Sequence, residues 1–425
     1  MSPIIIRGGR RLAGEVRVAG AKNSALKLIA ASLLAAGESR ISNVPEISDV
    51  ATMAEVVGGL GASVEREGGT LAVDATELTS FEAPYELVAR MRASIAVLGP
   101  LVARLGRARV AMPGGCNIGS RKVDMHIAGL QALGVRFEFE HGYIDAEAPG
   151  GLHGAHVTLE FPSVGATENL LMASVLAHGT TVIENAAREP EIGDLAAMLV
   201  AMGASIEGIG TATLSIEGVE RLEPAEHAVI GDRIEAGTFL VAGALTGGPV
   251  TVTGFDPAHL EMVLVKLEHA GCTLEIAPDS VTVARTGAIV PVDVQTLPYP
   301  GFPTDMQPQF MALMSRAEGN CIVTENVFEN RFMFADELVR MGADVRIEGH
   351  HALVKGVPVL SGAPVRCTDL RAGAALVLAG LVAEGETVVS DTFHIERGYE
   401  GFVHKLAALG AAVGTGSPAD DTGAG

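Results

Sequence analysis

A helix-ending phrase centred on glycine recurs six times along the chain. Each glycine follows a helical pattern and precedes a strand-like run, as expected for a residue that ends a helix in the left-handed conformation. Successive copies lie 73, 69, 68, 71 and 68 residues apart, and their glycines are Gly61, Gly134, Gly203, Gly271, Gly342 and Gly410. Chance recurrence with this regularity is implausible, so the sequence predicts six similar modules of roughly 70 residues each.

A second glycine phrase recurs out of phase with the first and closes an apolar helix before a short β-branched or alternating run. Its glycines are Gly37, Gly106, Gly179, Gly248, Gly319 and Gly385. Each module therefore contains two helices and several short strands, as a βαβ-type unit does and a thin solenoid repeat does not. A polar stretch at residues 221–228 follows the third module, so we predict two domains of three modules. A strand predicted at residues 4–18 is expected to pack with the last module.

Charge and cysteine usage narrow the possible functions. The chain has 30 Lys and Arg against 51 Asp and Glu, a formal net charge of −21. This argues against nucleic acid or an anionic membrane as the main partner, and any anion site must be a local cluster of cations. The four cysteines are widely separated and show no metal-ligand spacing, so free thiols without a zinc site are expected. The apolar runs are too short for a signal peptide or a membrane span, which favours a cytoplasmic protein.

One cysteine lies in a glycine-rich loop that is followed by two cations. Cys116 follows Gly114 and Gly115, and Arg121 and Lys122 come five and six residues later. Such cations can hold an anion and favour the thiolate. The loop therefore fits a reactive cysteine that acts on an anionic substrate. A surface loop with a bystander cysteine is the alternative, and these residues alone do not separate the two.

Charged residues also collect where the helices are predicted to begin. One set of helices is predicted to begin near Lys22-Asn23, Arg92, Ser163-Val164-Gly165, Asp232-Arg233, Asp305 and Asp369-Leu370-Arg371, and the other near Asp49, Arg121-Asp124, Arg188-Glu189, Asp256, Arg331 and His394-Arg397. Helix N-termini favour phosphate or carboxylate, so these residues are candidates for an anion site if equivalent helix ends converge. Asp305 lies in a constrained run between Pro303 and Met306, which favours a functional role. Asp49 and Asp256 are predicted to be helix caps. The alternatives are a snorkelling surface lysine for Lys22 and structural ion pairs for Arg331 and Arg397.

Over nearly its whole length, the chain resembles the UDP-N-acetylglucosamine (UDP-GlcNAc) enolpyruvyl transferases, a branch of the enolpyruvyl transferase family. The matching runs are Gly20-Ala21-Lys22-Asn23, Met91-Arg92-Ala93-Ser94, Pro113-Gly114-Gly115-Cys116 through Arg121, Phe161-Pro162-Ser163-Val164-Gly165-Ala166-Thr167-Glu168, Glu184-Asn185-Ala186-Ala187-Arg188-Glu189-Pro190-Glu191, Asp232-Arg233-Ile234-Glu235, Phe302-Pro303-Thr304-Asp305, Phe328-Glu329-Asn330-Arg331-Phe332, Asp369-Leu370-Arg371 and Arg397-Gly398-Tyr399-Glu400.

The resemblance implies an α/β (α+β) fold: a two-domain inverted βα barrel of the enolpyruvyl transferase type, with six βαβαββ repeats, three per domain. We expect one domain at residues 22–229, which carries the cysteine loop at 112–122. The other domain is expected at residues 1–21 together with 230–418, and residues 419–425 are expected to form a disordered tail.

The implied reaction transfers the enolpyruvyl group of phosphoenolpyruvate to the 3′-hydroxyl of UDP-GlcNAc and releases phosphate. This is the first committed step of peptidoglycan synthesis, and it needs no metal or organic cofactor. The resemblance implies that Cys116 protonates the methylene carbon, because a thiol is mostly protonated at neutral pH. It also implies that Asp305 takes the proton of the sugar hydroxyl. Loop 112–122 would close over the site as a lid.

The resemblance also assigns residues to each substrate. Phosphoenolpyruvate would be held by Lys22, Arg121 and Arg397. Residues expected to hold UDP-GlcNAc are Asn23, Arg92, Arg121, Lys122, Val123, Asp124, Met125, Ser163, Val164, Gly165 and Val327. Arg331, Asp369 and Arg371 are expected to organise the intermediate.

Two features mark where this chain stands among related sequences. Some members carry lysine at the position of Phe161, which leaves one uridine-side contact open. Some replace the loop cysteine with aspartate, whereas this chain keeps Cys116, so sensitivity to the epoxide fosfomycin is expected.

Three alternatives stay open. The related shikimate-pathway transferase shares the architecture but lacks the cysteine loop. A transferase of a specialised pathway would act on another nucleotide. A retired paralogue would bind the UDP-sugar as a sensor, although none of Cys116, Asp305 and Lys22 is lost. The oligomeric state is not indicated by the sequence.

Overall fold

A computed structural model describes residues 2–112 and 123–416. Within these residues the chain forms two compact units. We call residues 2–19 with 231–416 the terminal unit, and residues 20–112 with 123–230 the central unit. The predicted tail at 419–425 lies outside the described residues. The helices of the described part include none with the length and hydrophobicity that a membrane span requires.

Short helices alternate with short strands throughout both units. The α-helices are α1 (Lys22–Ala31), α2 (Ser48–Gly59), α3 (Tyr85–Arg90), α4 (Leu98–Leu105), α5 (Asp124–Ala132), α6 (Val164–Ser174), α7 (Pro190–Ala201), α8 (Arg233–Thr246), α9 (Glu261–His269), α10 (Gln307–Met314), α11 (Ala335–Arg340), α12 (Leu370–Gly380), α13 (Phe393–Glu396) and α14 (Phe402–Ala408). Short 3-10 helices are Ser32–Leu34, Arg92–Val97, Pro257–Leu260, Thr304–Met306 and Arg331–Phe334.

The strands are two to five residues long. They are β1 (Ile4–Arg7), β2 (Gly14–Arg17), β3 (Glu38–Ser42), β4 (Ser63–Glu67), β5 (Thr70–Asp74), β6 (Glu82–Ala83), β7 (Arg107–Ala111), β8 (Arg136–Glu140), β9 (Tyr143–Glu147), β10 (His156–Thr158), β11 (Thr180–Glu184), β12 (Ser205–Glu207), β13 (Thr213–Glu217), β14 (Glu226–Ala228), β15 (Val250–Thr253), β16 (Thr273–Ala277), β17 (Ser280–Ala284), β18 (Val294–Gln295), β19 (Asn320–Thr324), β20 (Asp344–Glu348), β21 (His351–Lys355), β22 (Leu360–Ser361), β23 (Pro364–Arg366), β24 (Ala383–Glu384), β25 (Glu386–Ser390) and β26 (Ala412–Thr415).

Six four-stranded sheets in the described residues share one pattern, and each unit contains three of them. In the terminal unit the strand orders are β23-β25-β1-β26, β16-β17-β15-β2 and β18-β19-β21-β20. In the central unit they are β14-β3-β5-β4, β6-β7-β9-β8 and β10-β11-β13-β12. Each sheet has one parallel pair at an edge and two antiparallel pairings. The remaining strands, β22 and β24, form a parallel pair.

The first set of recurring glycines has the conformation that the sequence predicts. Each has a positive φ angle between 87° and 109°, and they are Gly61, Gly134, Gly203, Gly271, Gly342 and Gly410. These glycines therefore end helices in the left-handed region, where a side chain is strained.

In the second set each glycine comes shortly before a strand, but only Gly106 ends an α-helix directly, with φ 70°. Gly37, Gly179, Gly319 and Gly385 also have positive φ angles but lie three to five residues beyond the helix, so the prediction that they close it is wrong in part. Gly248 is the one member of the set without a positive φ angle.

At that position, Gly247 rather than Gly248 closes α8 in the left-handed conformation, with φ 76°. Gly248 instead lies against the backbone, because an added Cβ would be 1.4 Å from the Leu12 carbonyl oxygen. The prediction of one strand at residues 4–18 is also wrong in part. Strand β1 pairs with β25 and β26 of the last module, as expected, but β2 pairs with β15 in another sheet.

The core of each unit is built around helices that are buried on every side. In the terminal unit α8, α10 and α12 are buried along nearly their whole length and pack against one another. In the central unit α1 and α6 are similarly buried, and the 3-10 helix before α4 packs against both. α8 and α12 are rich in Ala, Gly, Val and Leu, whereas α10 contains Phe, Met and Leu, and none of these helices presents a polar face to water. Polar side chains of the core helices can reach a ligand only near the helix ends, whereas those in the middle, such as Lys27, Glu168 and Asn169, are buried in the core.

One ion pair crosses the core of the central unit. Lys27 on α1 lies with its Nζ 2.9 Å from Oε2 of Glu168 on α6, and the Glu168 side chain is 1% exposed. Burial raises the pKa of Glu168 to about 7, although the Lys27 charge opposes the shift. The carboxyl group therefore binds a proton more tightly in the folded chain than in the unfolded chain.

We predict that Glu168→Gln flattens the pH dependence of stability. A raised pKa in the folded state contributes stability that is present below pH 4.5 and is lost as pH rises toward 7. Wild type should therefore lose stability relative to the variant between pH 5 and 7, by on the order of 1–3 kcal/mol. Urea unfolding at several pH values measures the difference.

Glu184→Gln is the control. Hydrogen bonds from Thr158 and His156 lower the pKa of Glu184, so this residue contributes stability that increases with pH, opposite to Glu168. Equal slopes for wild type and Glu168→Gln would contradict the assignment.

Candidate active site

In the terminal unit, the carboxylate of Asp305 is held between two buried arginines. Asp305 lies in the 3-10 helix Thr304–Met306, directly before α10. Arg331 donates through Nη2 to Oδ1 at 2.9 Å, and Arg371 donates through Nε to Oδ2 at 3.1 Å. The two arginine side chains are 1% and 3% exposed, whereas the Asp305 side chain is 25% exposed. The arginines therefore fix both oxygens of the carboxylate and compensate its charge, and the Asp305 side chain remains partly exposed.

A buried hydrogen-bond network lies behind Arg371. The Tyr399 hydroxyl is 2.9 Å from Thr238 Oγ1 and accepts a hydrogen bond from Gln309 Nε2 at 3.2 Å. Burial alone would lower the pKa of Arg371, but the electrostatic interactions with Tyr399 and Asp305 raise it above its ordinary value. Burial has the opposite effect on the Tyr399 hydroxyl, whose pKa it raises. Arg371 therefore stays charged inside the unit.

Asp369 serves α12 as its N-cap. Its Oδ1 accepts hydrogen bonds from the backbone N–H groups of Arg371 and Ala372, at 2.9 and 3.1 Å. The cap fixes the first turn of α12 and so fixes the start of the Arg371 side chain. Asp256 is also a cap, as predicted, and accepts from the N–H of Ala258.

Glu325 is a site residue that the sequence analysis missed. It is 2% exposed, and its Oε1 accepts hydrogen bonds from Thr296 Oγ1 and from the backbone N–H groups of Val327 and Phe328, at 2.8, 2.8 and 3.1 Å. Its Oε2 accepts from Thr304 Oγ1 at 2.9 Å. Glu325 thus joins the predicted binding residue Val327 to the turn that carries Asp305. The available signal was an acidic residue that directly follows an apolar strand, at the end of β19.

The structure places Arg397 immediately after α13, in the same unit. Burial and the nearby Arg397 charge lower the pKa of His394. The charge of Arg397 therefore acts on the imidazole of His394, which lies three residues earlier in the chain.

In the central unit, Lys22 and Asn23 begin α1 as the sequence predicts. Lys22 Nζ lies 2.8 Å from Asp49 Oδ2, and the two side chains are 11% and 5% exposed. The alternative of a surface snorkelling lysine is therefore wrong. The prediction that Asp49 caps a helix is also wrong, because Ile47 is the N-cap of α2 and Asp49 lies in the first turn. Its carboxylate is instead used to balance the buried ammonium.

The first turns of α5 and α6 contain the remaining predicted binding residues of this unit. Val123 precedes α5, and Asp124 Oδ1 accepts the N–H of Met125 at 2.9 Å. Ser163 is the N-cap of α6, whose first residues include Val164 and Gly165. The Ser163 hydroxyl accepts the N–H of Ala166 at 3.3 Å, so the cap leaves other N–H groups of this turn for a ligand.

Some predicted site residues cannot be placed. Cys116, Arg121 and Lys122, with the rest of the predicted lid up to residue 122, lie outside the described residues apart from Met112. The backbone of Arg92 begins the 3-10 helix Arg92–Val97, as predicted, and its side chain is not described.

The three described cysteines have the surroundings of structural thiols. Cys272, Cys321 and Cys367 are buried and unpaired. Burial raises the pKa of Cys272 to about 11 and that of Cys321 to about 12, and it raises the pKa of Cys367 further. A buried thiol of high pKa is a poor nucleophile. In the parts of the chain at 2–112 and 123–416, no three His, Cys, Asp or Glu side chains are grouped to bind a metal ion.

Comparisons with known proteins agree over almost the full length. The family model for EPSP synthase (3-phosphoshikimate 1-carboxyvinyltransferase) matches residues 6–406. A Mycobacterium leprae protein named UDP-N-acetylglucosamine 1-carboxyvinyltransferase is 56% identical over 409 residues, which covers 96% of this chain and 98% of that protein. A protein of the same name from Gluconacetobacter diazotrophicus is 55% identical over 416 residues, covering 97% and 99%.

Solved structures place the fold in the same group. The enolpyruvyl transferase NikO from Streptomyces tendae superposes with a TM-score of 0.88 at 30% identity, covering 98% of this chain and 99% of its own. EPSP synthase from Acinetobacter baumannii superposes with a TM-score of 0.75 at 18% identity, covering 98% and 100%, and supports the mixed α/β fold alone. The resemblance seen in the sequence is therefore confirmed: the chain belongs to the enolpyruvyl transferase family, together with relatives named UDP-N-acetylglucosamine 1-carboxyvinyltransferase.

Proposed function

We propose that this protein transfers the enolpyruvyl group of phosphoenolpyruvate to the 3′-hydroxyl of UDP-GlcNAc and releases phosphate, as the first committed step of peptidoglycan synthesis. The observation that carries the proposal is near full-length identity of 53–56% to proteins named for this activity. The chain also retains Cys116, Asp305 and Lys22, which the chemistry requires.

The architecture is proposed to be a sixfold βαβαββ repeat with three copies per domain. The shared strand pattern of the six sheets supports this proposal. The domains would be residues 22–229 and residues 1–21 with 230–418, and the terminal and central units are compatible with these limits.

The reaction is an addition followed by an elimination. The sugar oxygen bonds to C2 of phosphoenolpyruvate, Cys116 gives a proton to C3, and Asp305 takes the proton from the sugar hydroxyl. The thiolate left on Cys116 then takes a proton from the new methyl group, which restores the double bond while the C2–O bond to phosphate breaks. Asp305 would help this elimination by giving its proton to the departing phosphate. The arginine contacts to both Asp305 oxygens support a fixed position for this proton acceptor, because they hold the carboxylate without reorganisation during the reaction.

The anionic reactant needs local cations in a chain of net charge −21. Lys22, Arg121 and Arg397 are proposed to bind phosphoenolpyruvate, for which guanidinium groups are well suited. The burial of Lys22 beside Asp49 supports a fixed ammonium position. Arg331, Asp369 and Arg371 would organise the intermediate. Arg331 and Arg371 would do so by holding Asp305, and Asp369 by fixing the first turn of α12, which carries Arg371.

The nucleotide sugar is proposed to bind along a second set of residues. The capped first turn of α6 supports a role in binding an anionic group. The proposed contacts are Asn23, Arg92, Arg121, Lys122, Val123, Asp124, Met125, Ser163, Val164, Gly165 and Val327.

The first test is phosphate release from phosphoenolpyruvate with UDP-GlcNAc or shikimate-3-phosphate as the acceptor. Release should require UDP-GlcNAc. It should fall about 10²–10⁴-fold in Cys116→Ala and in Asp305→Asn, because each loses a proton-transfer group. Asp256→Asn, which alters an exposed helix cap, is the matched control and should keep wild-type turnover.

Release with shikimate-3-phosphate would favour the related shikimate-pathway activity. No release with either acceptor would favour a specialised pathway or a retired sensor.

Sensitivity to a small epoxide is a second prediction. Prolonged incubation with fosfomycin should abolish the activity of wild type, because the loop thiol can open the epoxide ring. Cys116→Asp cannot form this thioether and should keep whatever activity it has. Mass spectrometry should show one adduct on wild type, and full activity after incubation would contradict the prediction.

Glu325 provides a third test within the described site. Glu325→Ala leaves four donors without their acceptor, so we expect a loss of about 2–4 kcal/mol in unfolding free energy. Because Val327 loses its anchor, the KM for UDP-GlcNAc should also rise about tenfold, with a smaller change in the KM for phosphoenolpyruvate. Glu318→Ala removes an exposed glutamate as a control and should stay within about 0.5 kcal/mol of wild type. An unchanged KM for UDP-GlcNAc would contradict the role of Glu325.

A further inference from the structure

A buried amide in the central unit contacts two segments of the chain that are distant in sequence. Asn169 lies on α6 and is 1% exposed. Its Oδ1 accepts the backbone N–H of Gly99 at 2.8 Å, and its Nδ2 donates to the carbonyl oxygen of Ile95 at 3.2 Å. The same Nδ2 lies 3.0 Å from Nδ1 of His126 on α5.

The two backbone contacts fix which end of the amide is which. A backbone N–H can only donate, so the atom facing Gly99 must be the amide oxygen. A carbonyl oxygen can only accept, so the atom facing Ile95 must be the amide nitrogen. Asn169 therefore presents an N–H to His126, and a reversed amide would lose both backbone hydrogen bonds.

The orientation of the amide in turn fixes the imidazole. Because Nδ1 of His126 faces a donor, it must accept and so carries no proton. In a neutral ring the proton then resides on Nε2. His126 is 6% exposed, which keeps solvent from competing with this arrangement.

The other edge of the ring lies against the first turn of α6. A Cβ added at Gly165 would be 3.1 Å from both Nε2 and Cε1 of His126. His126 is also the third residue of α5, directly after Asp124 and Met125. The imidazole therefore lies between the two helix starts that are proposed to bind the nucleotide sugar.

We propose that Asn169 is a positioning residue that holds His126 with its proton on Nε2 and so sets the first turns of α5 and α6 for binding the nucleotide sugar. The binding part of this inference rests on the proposed function, whereas the tautomer does not. Neither residue is required to touch a reacting atom.

The tautomer is measured directly by long-range ¹H–¹⁵N correlation spectra of ¹⁵N-histidine-labelled protein, with His126→Gln used to assign the signals. Wild type should show an unprotonated Nδ1 and a protonated Nε2. Asn169→Asp is isosteric and keeps an acceptor for Gly99, but it has no donor for His126, so the proton should move to Nδ1 or both nitrogens should be protonated. A wild-type ring protonated on Nδ1, or an unchanged tautomer in Asn169→Asp, would overturn the proposal without reference to activity.

Calorimetric titration with UDP-GlcNAc tests the consequence for binding. Asn169→Asp should bind about tenfold more weakly than wild type. Ser174→Ala, which also removes a buried polar group from α6, should bind like wild type. A switched tautomer with unchanged affinity would overturn the positioning role. Failure of the proposed function would instead appear as no binding of UDP-GlcNAc by wild type, or as binding without phosphate release, whatever the tautomer.

Discussion

Complete burial of the central helices constrains everything else in each unit. Helices such as α8, α10 and α12 have no solvent-facing side, so polar residues are tolerated mainly where the helices begin. At that end the free backbone N–H groups need acceptors, and carboxylates supply them at Asp232 and Asp369. Capping of the free N–H groups thus concentrates charged residues at the N-terminal ends of these packed helices. Asp305 contacts its two arginines at this end.

The Asp305 cluster also shows how a buried charge is supported. A guanidinium inside a protein is costly unless its charge is paired and its donors are used. Arg371 has Asp305 on one side and the Tyr399 hydroxyl network on the other, so its charge is balanced. Arg331 is nearly inaccessible as well. Because the positions of these groups are fixed by packing, the Asp305 carboxylate is held in one orientation.

The sequence predicts the features that depend on local chemistry. The first set of glycines at helix ends, the cap at Asp256, and the starts of α1 and α6 follow from residue type and spacing. Features that depend on distant contacts could not be predicted. Lys22 determines the role of Asp49 from another helix, and the contacts of Glu325 and Asn169 come from segments that are far apart in sequence. The split of residues 4–18 into two strands likewise depends on which later strands they pair with.

We propose that transfer proceeds by adding a proton to the methylene carbon and later removing one. Running the reaction in D₂O with phosphoenolpyruvate and UDP-GlcNAc tests this directly, with the vinyl group of the product examined by mass spectrometry and ¹H NMR. Deuterium is expected at the vinyl methylene carbon, because the proton that is added comes from a group in exchange with solvent. A product whose vinyl group contains only the original hydrogens would contradict net incorporation of a solvent-derived proton by this route.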